Sequence, residues 1–213
     1  MIIYTLVVGP IQTNCYVLCD DESKDSIVVD PGDEAGKIIA FIKERQLNIK
    51  YIVSTHGHFD HLNAVEELKK EFGVEFYVCA DDNYLLDLPT NSFMKMLGYS
   101  TVPTHAEKYL KEGDEIIFGK TSLKVIQTPG HTPGGICLYC QNEDKLISGD
   151  TLFNGDIGRS DSPGGSAFRL ISSIKKKLFV LPDSTQIYPG HGPSSTIGNE
   201  KNTPLMKGIL KGG

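Results

Sequence analysis

The chain has 213 residues, 39% of them hydrophobic and 23% charged, and carries a formal net charge of −6. That length suits one domain over residues 1–213, with a core large enough to stand without staples; the acidic surface repels phosphate backbones and so speaks against a nucleic-acid partner. No apolar run approaches the ~20 residues of a membrane span, and five cysteines without a disulfide framework point to reduced thiols in a cytoplasm.

MIIYTLVV lacks the basic leader and cleavage site of a targeting segment. It reads as a first strand, turning at Gly9 and Pro10 into CYVLC and then DSIVVD. EAGKIIAFIKERQ gathers Ile38, Ile39, Phe41 and Ile42 in one apolar band and predicts a helix. YIVST is the next strand. LNAVEELKKEFG places Leu62, Val65, Leu68 and Phe72 at helical spacing, with Gly73 as its stop. VEFYVCA follows as a strand. Residues 81–112 are less regular, with DDNYLLDL and SFMKMLG as short helical pieces. EIIFG with SLKVIQT, and GICLYC with KLISG, read as two strand pairs. SAFRLISSIKKKLFVL is amphipathic and predicts a helix with Lys175, Lys176 and Lys177 on its solvated face, and TQIYPG is a last strand before a polar tail. Strands in runs with helices between them indicate sheet layers covered by helices. Alternation within GICLYC puts Cys137 and Cys140 on opposite faces of a sheet, so they read as buried thiols rather than a metal or redox pair.

The polar residues fall in a repeated arrangement. YIVST runs into His56, His58, Asp60 and His61; KVIQT into His131; KLIS into Asp150; and QIYPG into His191. Five of the six histidines sit at such strand exits, where layered architectures gather their ligands. The sixth, His105 in VPTHAEK, reads as an ordinary surface residue. His56 and His58 are two apart in extended chain, so their rings point the same way and can grip one ion. Asp60 and His61 follow where the chain turns toward the next helix and can face a neighbouring ion. Imidazole and carboxylate suit Zn²⁺, Fe²⁺ or Mn²⁺. One ion would take His56, His58 and His131, the other Asp60, His61 and His191, with Asp150 bridging both. Two ions ~3.5–4 Å apart can share a hydroxide whose pKa falls toward ~7. Burying five histidines without partners would be costly.

Taken together, T-H-G-H-F-D-H, T-P-G-H-T-P-G, G-D-T-L-F and Y-P-G-H-G, with the earlier D-P-G turn of IVVDPGD, resemble the metallo-β-lactamase superfamily over roughly residues 2 to 200. The resemblance implies an α+β fold, a four-layer αββα sandwich with the metal site at one edge of the packed sheets. The family's seven ligand positions correspond to His56, His58, Asp60, His61, His131, Asp150 and His191, and all are filled. Asp30 would orient the site from behind. Within the superfamily, GDTLFNGDIGRSD looks most like the glyoxalase II group, which hydrolyses thioesters such as S-lactoylglutathione. Glyoxalase II proper carries a C-terminal helical domain for glutathione; only 22 residues follow His191 here, so the chain resembles the shorter glyoxalase II-like hydrolases.

The expected reaction is metal-assisted hydrolysis of a small thioester or ester through a metal-bridging hydroxide, with two divalent ions, zinc first and iron or manganese as alternatives. One ion would polarise the carbonyl and stabilise the oxyanion, and Asp60 would accept a proton as the tetrahedral intermediate collapses. Two divalent ions, two aspartates and one hydroxide sum to about +1, which favours an anionic substrate. Arg159 either adds to that field or serves as a salt-bridged loop residue. Tyr84, Phe93 and Met96 are candidates either for a substrate pocket or for core. The principal rival is a mono-iron persulfide dioxygenase, which resembles the same group and uses positions matching His56, His131 and Asp150. Flavodiiron proteins have Glu where His58 stands. RNase Z-like processing conflicts with the acidic balance, and β-lactamase activity with the missing secretion signal. A non-catalytic module would be expected to lose ligands.

Overall fold

The first apolar runs pair as antiparallel neighbours. β1 (Ile2–Val8) lies beside β2 (Thr13–Cys19), and β2 beside β3 (Asp25–Val29). Two helical crossovers then add parallel strands, as strand–helix–strand connections do. α1 (Ala35–Glu44) leads to β4 (Asn48–Val53) against β3, and α2 (Val65–Phe72) leads to β5 (Glu75–Cys79) against β4. A short α3 (Ser92–Met96) precedes β6 (Lys108–Leu110), which closes this sheet beside β5. The second sheet begins as an antiparallel meander of β7 (Glu115–Phe118), β8 (Thr121–Gln127), β9 (Ile136–Cys140) and β10 (Lys145–Gly149). α4 (Ala167–Ser173) crosses to β11 (Gln186–Pro189), parallel to β10, and β12 (Ser195–Thr196) edges the sheet. α5 (Ile197–Lys201) and α6 (Pro204–Lys211) complete the chain. This computed structural model describes residues 1–88, 92–96, 98 and 101–211.

Three apolar layers show how the elements stack. Cys15 and Val17 of β2 join Val28, Ile38, Ile42, Ile52, Leu68 and Phe76 in a layer between the first sheet and α1 with α2. Tyr16 and Leu18, the alternate residues of the same strand, face the other way. They join Ile27, Val53, Phe118, Leu123, Leu138 and Ile147 between the two sheets. The third layer sets Cys137, Leu146 and Ile187 of the second sheet against Leu170, Ile174 and Leu178 and against Ile197 and Met206 of the last helices. The order is therefore helix, sheet, sheet, helix: the αββα sandwich of the sequence reading. β2 is buried at every position, which is why its sequence is apolar without alternation.

The structure departs from the sequence reading, or adds to it, in several places. The polar tail, to which the sequence reading gave no elements, holds β12, α5 and α6, anchored by Ile197 and Met206, which are buried. Two anchors nine positions apart on short helices are too sparse to show as a period. The first helix stops at Glu44, because Arg45 caps it and Gln46 takes a positive φ of 54°. The long helix after Ser166 is regular only to Ser173; a π-turn covers Ile174–Leu178. Cys137 and Cys140 fall in different layers, on opposite sheet faces as alternation requires. Among the described residues, no helix is long and apolar enough to cross a membrane.

Candidate metal centre

Four strand exits meet at one edge of the sandwich. β4 ends at Val53 and leads through Ser54 and Thr55 to His56, Gly57 and His58, and a 3-10 turn over Phe59–His61 carries Asp60 and His61 inward. From the second sheet, β8 delivers His131, β10 delivers Asp150 and β11 delivers His191. His56 Nε2 lies 3.1 Å from His58 Nδ1, and the His58 and His131 ring centroids are 4.6 Å apart. His61 Nε2 lies 3.3 Å from His191 Nε2 and 3.6 Å from Asp60 Oδ2. Asp150 stands between these groups, with Oδ1 3.5 Å from His61 Nε2 and Oδ2 3.5 Å from His131 Nε2 and 3.6 Å from His191 Nε2. The seven residues singled out in the sequence thus come together. Three sets offer ligand atoms within 4.8 Å of one another: His56, His58 and His131; His56, His61 and Asp150; and Asp60, His61 and His191.

Ring nitrogens and carboxylates facing one another at these distances fit a divalent cation and little else. His131 Nε2 and Asp150 Oδ1 are buried without a hydrogen-bond partner, a costly arrangement unless a cation satisfies them. On the residues alone, burial and the neighbouring imidazoles hold His56 well below the usual histidine range and His58 down to about 3, so both present neutral rings. His61 behaves oppositely: burial opposes its charge, but Asp30, Asp60 and Asp150 raise it to about 10. Burial would push Asp60 up, yet His61 and His191 hold it below the ordinary carboxylate range. Asp150 is raised by burial, which outweighs the pull of His61, His191 and His131.

Buried polar residues from other elements brace each exit. Asp30, after β3, accepts the Thr55 amide at 2.7 Å and the Thr55 hydroxyl at 2.8 Å, and its Oδ2 lies 3.1 Å from His61 Nδ1. That contact aims His61 Nε2 at the centre. His131 Nδ1 lies 2.6 Å from the Arg159 carbonyl, to which only an Nδ1–H can donate, so Nε2 is left as the free lone pair. Asn14 donates to the carbonyls of Pro189 and Gly192 at 2.9 and 2.8 Å, and the Tyr16 hydroxyl to Pro189 at 2.6 Å, which fixes the turn carrying His191. Glu200 accepts the Gly155 amide at 2.8 Å in the loop after Asp150. Asp82 binds the loops on either side of His56, His58 and His131. Asn14, Asp82 and Glu200 were not singled out in the sequence. Each is one polar residue without a motif, and its partners are remote in the chain.

The remaining candidates lie outside the cluster. The Arg159 side chain is exposed and pairs with Asp161 at 2.9 Å. His105 is exposed beside Glu107, and Lys177 pairs with Glu112. A cavity of about 40 Å³ beside His58 is lined by Leu62, Leu85, Leu86, Leu88 and Met94, not by Tyr84 or Met96, both of which are exposed. The Phe93 side chain falls outside the described residues.

Comparison with known proteins places nearly the whole chain among relatives of the same fold. The hydroxyacylglutathione hydrolase GloC of Haemophilus influenzae is 37% identical over 95% of this chain and 96% of its own. The crystal structure of the B3 metallo-β-lactamase BLEG-1 superposes with a TM-score of 0.89 at 36% identity, covering 96% of this chain and 99% of that one. TTHA1623, solved in a di-iron-bound form, gives 0.85 at 33%, covering 95% and 99%. The metallo-β-lactamase superfamily profile matches residues 8–191. That span ends on His191, the last of the seven clustered residues, and the chain belongs to the metallo-β-lactamase superfamily of metallo-hydrolases.

Proposed function

We propose that the chain hydrolyses a small thioester or ester, anionic and S-lactoylglutathione-like, using two divalent cations, zinc by preference over iron or manganese. The observation that carries this reading is Asp150, whose two carboxylate oxygens reach toward both the His131 side and the His61–His191 side of the cluster. His56, His58 and His131 would hold one cation, Asp60, His61 and His191 the other, and Asp150 would lie between. When bound, such a pair supplies Lewis acidity and lowers the pKa of water toward ~7. The chain's own part is to fix that centre. Neutral His56 and His58 present lone pairs without first losing protons, Asp30 keeps His61 aimed inward, and ionised Asp60 is placed to accept a proton as the carbonyl adduct collapses. The GloC relative, matched over nearly its full length, supports a thioester substrate. Five buried free thiols support a cytoplasmic setting.

The test is metal analysis of the purified protein beside assays of S-lactoylglutathione hydrolysis and of oxygen uptake with glutathione persulfide. Two cations per chain with thioester hydrolysis are expected. A single iron with persulfide-dependent oxygen uptake would replace this reading with an oxidoreductase, and turnover of β-lactams alone would replace the substrate.

A further inference from the structure

We propose that Asp82 is a positioning residue that sets the geometry of one cation site and leaves the other alone. The inference rests on the two-cation reading above. Asp82 lies in the 3-10 stretch Ala80–Leu85 after β5, fully buried. Its Oδ2 accepts the Gly57 amide at 2.9 Å and the Thr132 hydroxyl at 2.7 Å, and its Oδ1 accepts the Gly134 amide at 2.6 Å. Gly57 stands between His56 and His58, and Thr132 follows His131. One carboxylate therefore spans the two loops, one from each sheet, that furnish His56, His58 and His131. Its hydrogen bonds reach no residue adjoining His191, whose turn Asn14 holds, and His61 is held by Asp30.

The two glycines give independent support. A Cβ on Gly57 would fall 2.8 Å from Leu85 Cβ and 3.0 Å from the Asp82 carbonyl, and one on Gly134 would fall 2.7 Å from Asp82 Cγ. Neither glycine has a positive φ, so torsion does not require them. They are glycines because both loops press against the segment holding this aspartate. The glycine of H-G-H and that of T-P-G-G are thus two halves of one clamp, and a buried carboxylate with three donors is rigid because every lost bond strands a buried group.

The experiment is competitive titration of the full chain with Zn²⁺, giving two stepwise affinities, and Co²⁺ spectra, for the wild type, Asp82→Ala, Asp82→Asn and His58→Ala. Partners behind metal ligands are worth about 10–100-fold in affinity. Asp82→Ala should weaken one step by that factor and leave the other within about two-fold of the wild type. Asp82→Asn, which keeps one acceptor oxygen, should fall between. The step weakened in Asp82→Ala should be the one abolished in His58→Ala, so the double variant Asp82→Ala/His58→Ala, titrated alongside, should bind its remaining cation as tightly as His58→Ala does. Equal weakening of both steps, or of neither, overturns the inference while two wild-type cations leave the hydrolase reading standing. A wild type that holds one cation at most overturns that reading and the inference together. If Asp82→Ala does not fold, the same comparison is read from Asp82→Asn.

Discussion

Gly190 has no side chain because the site leaves no room for one. A Cβ there would fall 2.1 Å from Asp150 Oδ1 and 2.9 Å from His61 Cε1, far inside van der Waals contact. Gly190→Ala should therefore displace the carboxylate between the two ligand sets, and metal analysis should show less than the wild-type content in a chain that still folds. Wild-type content would show that Asp150 moves aside at no cost. His58 tests the cluster from the other end. His58→Ala should lose hydrolysis by orders of magnitude and one cation, whereas full activity with a single ion would refute the paired centre. The seven clustered residues were legible because each follows an apolar strand, where a histidine or aspartate is out of place unless it has work at the exit. Asp82 and Asn14 were not, since a side chain that accepts or donates across loops leaves no trace in its own neighbourhood.

Between elements, Asp20 latches the end of β2 to the β7–β8 turn. Its carboxylate accepts the Ser23 amide and hydroxyl at 2.9 Å each, and the Lys120 amide and Thr121 hydroxyl at 3.0 Å each. The Ser23 amide, with help from the other donors, holds this carboxyl below the ordinary range. A group depressed in the folded state contributes stability above its unfolded pKa of ~3.9, and that stability is lost as pH falls through the folded value. Asp20→Asn should thus unfold at lower urea at pH 7 and show a shallower loss below about pH 4; parallel curves for both proteins would count against the latch. β9 supplies a second case. Cys137 packs toward α4 and Cys140 toward the first sheet, so Cys137→Ala and Cys140→Ala should each lower the melting temperature and leave metal content unchanged. Loss of an ion in either would contradict the strand geometry. Strands and the two crossover helices were readable from periods of 2 and 3.6 that a few adjacent residues carry. β6 was not, because three residues with two exposed side chains hold their place only through pairing to β5.

Across the whole molecule, the centre draws its side chains from the loops of both sheets, so bound cations should act as a cross-link. Cations that bind the folded chain and not the unfolded one stabilise it by about 2.7 kcal/mol each at one hundred times Kd. Chelation should accordingly lower Tm, and added Zn²⁺ should restore it; an unchanged Tm on complete removal would show that the cluster bears no load in the fold. Read as a string, the chain already declared its layered class, its seven clustered residues and the strands that present them, since alternation, helical spacing and polar residues after apolar runs are all local signals. The bracing of those residues by Asp82, Asn14, Glu200 and the Arg159 carbonyl, the leucine-lined cavity beside His58 and the docking of the C-terminal helices emerged only in three dimensions. Hydrogen bonds and close contacts depend on distance in space, and in this sandwich the groups that meet at the site come from strands of two sheets far apart along the backbone.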